Sequence, residues 1–231
     1  MKPSARTESI MTIGLSEPLQ APTASPTAGP PRDGAPAAPL PIYRLNVEQY
    51  HKMIEVGVFT SDDRVELLEG LLVSTTPKNQ PHSIAAGSIG DALIRIIPAG
   101  WYVAREEPLR ARDDSEPEPD VMVVRGSRND YPVSPPRGTD LALFVEVADS
   151  SLARDKTEKK RIYAEAGIPN YWLVNLLERR IELYTDPTGP GNWPDYRRRA
   201  DHAPGTDLPI TIEGHVVGSL AVTDVLPKEG T

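Results

Sequence analysis

The chain has 231 residues and 39% hydrophobic content, enough for one substantial domain with a real core, and its formal net charge of −8 excludes a surface that attracts nucleic acid everywhere. It has no cysteine, which removes disulfides, thiolate metal sites and thiol nucleophiles together and fits a reducing compartment. No apolar run approaches the ~20 residues of a membrane helix, and the N-terminus lacks a signal-peptide layout, so a soluble, cytoplasmic protein is expected.

Residues 1–41 are crowded with Pro, Ala, Ser, Thr and Gly without periodicity, the composition of a disordered tail. The folded domain is expected over 42–227, with a short C-terminal tail at 228–231. Asn46 to Val58 reads as a helix capped by Asn46, with Val47, Tyr50, Ile54 and Val58 on one stripe. Val65 to Thr76 reads as a hairpin turning at Glu69-Gly70, where residues tolerant of positive φ belong. From Pro81 to about Ile97 the period is helical, and His82 falls on the apolar face near the helix start. A lone histidine there is more often a hydrogen-bonded structural residue than a catalyst, and it stays a candidate.

Trp101 to Leu109 reads as a strand. Pro117 and Pro119 then hold the backbone extended into Val121 to Val124, an all-apolar strand with Asp120 at its entry. Leu141 to Val147 is a second buried strand, interrupted only by Glu146, a carboxylate that needs a cation, a metal or hydrogen-bond donors. Asp155 and Glu158 have capping-box spacing, and the helix they are expected to open ends at Gly167. On it Lys159, Ile162, Tyr163 and Ala166 share the face that packs on the strand, with Lys156 a turn earlier on that side and Lys160 and Arg161 pointing elsewhere. Tyr171 to Val174 and Ile181 to Tyr184 form a further hairpin, and strand-like runs such as Ile210 to Ile212 and His215 to Val217 follow. The basic runs Arg154 to Arg161, Arg179-Arg180 and Arg197 to Arg199 read as solvated faces before nucleic-acid contacts.

There is no G-x-S-x-G elbow, no H-E-x-x-H spacing and no Gly-rich phosphate loop. What remains is Asp120, Glu146 and Lys159. Two carboxylates at neighbouring strand ends suit a hard cation such as Mg²⁺ or Mn²⁺, and a lysine beside them can act on an attacking water or on charge developing at a phosphoryl oxygen. The same residues also suit a buried structural ion-pair network, and at this point both readings stand.

The stretches DDRVELLEG, PHS, EPEPDVMVVRG, FVEVADSSLARDKTEKKRIYAEAGIPNYWLVN and RRIELY, in that order, resemble the Uma-two family of restriction endonucleases, a branch of the PD-(D/E)XK nuclease superfamily. The resemblance spans about Tyr43 to Tyr184. It implies a mixed α/β, restriction-endonuclease-like core: a central mixed sheet flanked by helices, with added hairpins. It also implies metal-dependent hydrolysis of phosphodiester bonds, in DNA first, with Asp120 and Glu146 holding Mg²⁺ or Mn²⁺. The motif's lysine position falls on Ala148, and the family pattern moves the lysine to the following helix, at Lys159. Glu66 and His82 match family positions without an assigned role, and Leu71 stands where many relatives carry Glu. Nucleic acid is the expected partner, and a homodimer is allowed. An inactive nucleic-acid- or protein-binding module on the same fold is the alternative.

Overall fold

Two apolar segments too short for helices and too hydrophobic for a sheet surface, Val121–Arg125 and Leu141–Ala148, dictate the centre of the molecule, because strands of this kind must be covered on both faces. In the computed structural model, which describes residues 41–60 and 62–228, they are neighbouring inner strands. The expected tail falls outside the described residues except for Pro41, and so does the chain end beyond Lys228.

In chain order the elements are α1 (Val47–Glu55), the hairpin β1 (Val65–Leu68) and β2 (Leu71–Ser74), α2 (Gln80–Ile96), β3 (Trp101–Arg105), β4 (Val121–Arg125) and β5 (Leu141–Ala148). Then come α3 (Leu152–Arg154), a π-helical turn (Asp155–Lys159) and α4 (Lys160–Glu165), followed by β6 (Asn170–Asn175), β7 (Arg180–Pro187) and β8 (Tyr196–His202). The hairpin β9 (Asp207–Ile212) and β10 (His215–Ala221) and the short α5 (Val222–Val225) close the fold. Six strands make the central sheet in the order β3-β4-β5-β6-β7-β8, with β5 and β6 parallel and the other pairs antiparallel. The sheet is therefore mixed, and the parallel pair requires the helical crossover that carries Lys159. The described residues from Ile42 to Lys228 belong to one compact unit.

Alternation along β5 divides the core. Leu143, Val145 and Val147 join the layer closed by Ala85, Ile89 and Leu93 of α2 and by Leu208, Ile210 and Leu220 of β9 and β10. Phe144 and Ala148 face the other way, into a layer with Ile162 and Tyr163 of α4 and a run of tyrosines. In that layer Phe144 stacks on Tyr171 with ring centroids 4.7 Å apart, and Tyr184 continues the stack. Glu146 lies between Phe144 and Ala148 on this second face.

Local rules account for the flanking pieces. Asn46 caps α1 in a reciprocal box with Gln49, as expected. The predicted α1 stripe runs too far: the helix ends at Glu55, where Gly57 turns the chain with φ of 77°, and both Ile54 and Val58 are exposed. Glu69 and Gly70 both take positive φ at the β1–β2 turn, and a Cβ on Gly70 would stand 2.5 Å from that of Arg44. The strand β8 is a correction, since the sequence reading sees only a basic run there. Its pattern is exposed at every position but Tyr196 and His202, because it is the sheet's edge and needs no apolar alternation.

Candidate active site

Asp120 enters β4 two residues before Met122 and so points to the same face as Glu146 on the adjacent strand. It accepts the backbone N–H of Val147 at 2.7 Å, the Lys78 ammonium lies 2.8 Å from its other oxygen, and His82 Nε2 lies 3.2 Å away. Burial opposes its ionisation most strongly, yet the His82 hydrogen bond and the Lys78 charge outweigh it and hold Asp120 below the ordinary carboxylate range. His82 reaches the site because Asn79 caps α2 and presents its first turn, while the Asn79 amide donates to Asp149 just past β5.

Glu146 receives Lys159 Nζ at 3.0 Å and the Tyr163 hydroxyl at 2.5 Å, both on Oε1. Lys159 also donates to Glu66 Oε1 at 3.0 Å, and that same oxygen accepts the backbone N–H of Glu118 at 2.9 Å. Glu66 is delivered by β1, which bridges at Leu67 to Glu116 on the segment leading into β4. Its second oxygen is buried without a partner. Glu66, Asp120, Glu146 and Lys159 are only 3, 4, 4 and 6% exposed, at the bottom of a cleft of about 580 Å³.

The electrostatics follow from that crowding. Burial pushes the Glu146 carboxyl up to about 8, against the pull of Lys159, and neighbouring Asp155, Asp120 and Glu66 push in the same direction as burial. Burial disfavours the Lys159 ammonium, but Glu146, Glu66 and Asp155 outweigh it and raise its pKa above the ordinary lysine value. Burial also raises Asp155 and holds the Tyr163 phenol neutral, as a donor. The cleft lining has eight Asp and Glu carboxylates against four Lys and Arg side chains.

The structure thus brings Asp120, Glu146, Lys159 and His82 together in one cleft. It places Lys156 elsewhere: this ammonium lies 2.7 Å from Glu182 on β7, not beside Glu146. The cause is the π-helical turn Asp155–Lys159, which rotates Lys156 and Lys159 further apart than an α-helix would. The expected capping box does not form either. The helix starts at Leu152, Asp155 is buried inside it and accepts from Ser151 Oγ at 2.6 Å, and Glu158 is bound by Thr157. Lys160 and Arg161 point away, to Asp195 and Glu69. Lys78, Asp155 and the hydroxyl of Tyr163 are site residues that sequence reasoning missed. Tyr163 was legible only as a member of the packed face, and Lys78 carries no periodic signal because it precedes the helix. Among the described residues no group of three or more His, Asp or Glu side chains is arranged to hold a metal ion.

A family model, Uma2, with the description "Putative restriction endonuclease", matches residues 47–215. Among solved structures, the fold is similar to the crystal structure of "a putative nuclease belonging to DUF820" from Anabaena variabilis ATCC 29413. The TM-score is 0.57 and the identity 13%, covering 78% of this chain and 97% of that one, a likeness of fold. No curated protein matches the sequence.

Proposed function

Because the chain belongs to the Uma2 family, we propose that it is a divalent-metal-dependent nuclease that hydrolyses phosphodiester bonds, in DNA first. The observation that carries this reading is Lys159, whose ammonium bridges Glu66 and Glu146 beside Asp120 at the bottom of an open cleft. The donor set fits a hard cation. Mg²⁺ is commonly held by one or two carboxylates plus waters and substrate phosphates, so no three-ligand cage is needed, and the orphaned oxygen of Glu66 and the surplus of carboxylates both favour a cation. Asp120 and Glu146 would hold the metal, with Glu66 next to them. When bound, such an ion supplies Lewis-acid polarisation of a phosphoryl oxygen and a more acidic water.

The chain's own residues have separable tasks. Lys159 is held protonated, so it acts as a donor that orients the attacking water or stabilises charge developing on the phosphoryl oxygens, and not as a base. Tyr163 fixes Glu146 through its hydroxyl. His82 is a positioning residue that orients Asp120. With eight carboxylates in its lining the cleft repels a polyanion, so metal must load before nucleic acid binds. Incubating the purified protein with plasmid and with single-stranded DNA, in Mg²⁺, in Mn²⁺ and in chelator, tests the reading. Cleavage that requires the metal supports it, and intact DNA in every lane counts against it.

The second reading is a structural ion-pair network, favoured by the closed bonding of Lys159, Glu66, Glu146 and Tyr163 and by the absence of a three-ligand metal cluster among the described residues. Replacing Asp120, Glu146 and Lys159 together by neutral residues separates the two. A structural network loses stability, whereas mutually repelling metal-site carboxylates gain it when metal is absent.

A further inference from the structure

The cleft differs in kind along its lining. Arg64 and Arg154 supply cationic side chains suited to backbone phosphates, while the Lys78 ammonium is already taken up by Asp120 and Glu106. Ile54 and Phe59, from the end of α1 and the loop after it, supply an apolar wall in the same cleft. Ile54 is 44% exposed although it belongs to an amphipathic helix, and Phe59 is part-buried, its ring held by Tyr50 at a centroid distance of 6.1 Å. An apolar surface next to cations is the pairing that the base faces and phosphates of a single strand fit. In a duplex the base faces are stacked on one another, and phosphates and groove edges are all that is offered.

Depth points the same way. Glu146, at the bottom of a cleft of about 580 Å³, is only 4% exposed. A single strand bends to bring one phosphate to so buried a carboxylate at less cost than a stiff duplex does. Resting on the nuclease reading above, we infer that the substrate is an unpaired strand, with one base lying on the wall formed by Ile54 and Phe59 while its phosphates run past Arg64 and Arg154 to the carboxylates.

The test is fluorescence anisotropy of the full-length protein with a labelled mixed-sequence 12-mer, single-stranded or annealed to its complement. It is run in Ca²⁺, which takes the same oxygen ligands, and paired with cleavage of both probes in Mn²⁺. The single strand should bind at least tenfold more tightly than the duplex and be cut first. Phe59→Ala should weaken single-strand binding by about tenfold, the scale of one base stacked on a ring, and Ile54→Ser by about fivefold, the scale of one partly covered aliphatic side chain. Ile54→Ser is the decisive variant, since its exposed side chain can change without unfolding the protein, and a melting curve checks Phe59→Ala. Equal or tighter duplex binding overturns the inference while leaving the nuclease reading intact, and so does an Ile54→Ser protein that binds single strand normally. A wild-type dimer in sedimentation that Ile54→Ser dissociates would give the wall to a second copy of this chain and overturn it too. Failure to bind or cut either probe in any metal overturns both readings.

Discussion

Glu146 and Glu182 lie in one row across the sheet, each paired in register with Leu173 of the strand between them, and both are buried. Each receives a lysine from the same π-helical turn, Lys159 for one and Lys156 for the other. Their acidities diverge all the same. Burial pushes Glu146 up to about 8. It acts against Glu182 as well, but Lys156, the Tyr184 hydroxyl, the Asn175 amide and the Arg199 charge bring that carboxyl down to about 2. The difference lies in the neighbours. Glu182 has donors on both oxygens and cations around it, whereas Glu146 shares its surroundings with Asp155, Asp120 and Glu66. A carboxylate surrounded by donors is a structural group at rest, and one crowded by other carboxylates is left wanting a cation.

The largest way to break this comparison is through activity. Glu146→Gln and Lys159→Ala should each lower metal-dependent cleavage by about a thousandfold or more, on the scale of losing transition-state charge stabilisation, while Lys156→Ala should keep it within about threefold. Equal losses for Lys156 and Lys159 in a nicking assay would erase the distinction. Next comes stability. Glu182→Ala strands Lys156 and should destabilise by about 3 kcal/mol in a urea titration, whereas Glu146→Gln, which removes a carboxyl that resists ionisation, should leave stability unchanged or raise it.

How much of this was readable beforehand depends on range. The buried strands, Asp120 at the entry of one and Glu146 inside the other, follow from strand-length apolar runs, and Lys159 follows from helical spacing to Ile162 and Tyr163. The mixed α/β sheet, by contrast, was expected from the family resemblance, and the strand order and directions match it. Lys156 was misplaced because its position depends on the π-helical turn, for which single-sequence periodicity has no mark. Glu66 matched a family position, but its role emerges only when β1 packs on the segment before β4. Glu182 was invisible as a buried group because its donors come from three separate elements: the π-helical turn, β6 and β7 itself.

A smaller effect sharpens the comparison through pH. In the metal-free protein Glu146 keeps its proton to about 8, against 4.5 ordinarily, so the native state binds more protons than the unfolded chain between those values. Stability should therefore fall as pH rises from 4.5 to 8, by at most about 1.4 kcal/mol per unit, and Glu146→Gln should flatten the slope in melts across that range. Glu182 has the opposite sign: its contribution is present above 4.5 and is lost as pH falls towards 2. The smallest effect is expected from Tyr163→Phe, which removes one hydrogen bond to Glu146 and should cost about 1 kcal/mol in the same denaturation assay.

The central claim is that the Glu146 cluster takes a divalent cation and the Glu182 cluster does not. Titration calorimetry with Mn²⁺ on the wild type, Glu146→Gln and Glu182→Gln at pH 8 measures this directly. Binding in the wild type that weakens by tenfold or more in Glu146→Gln and survives in Glu182→Gln is the predicted result. No heat of binding in the wild type at millimolar Mn²⁺, or equal binding in all three proteins, would contradict it.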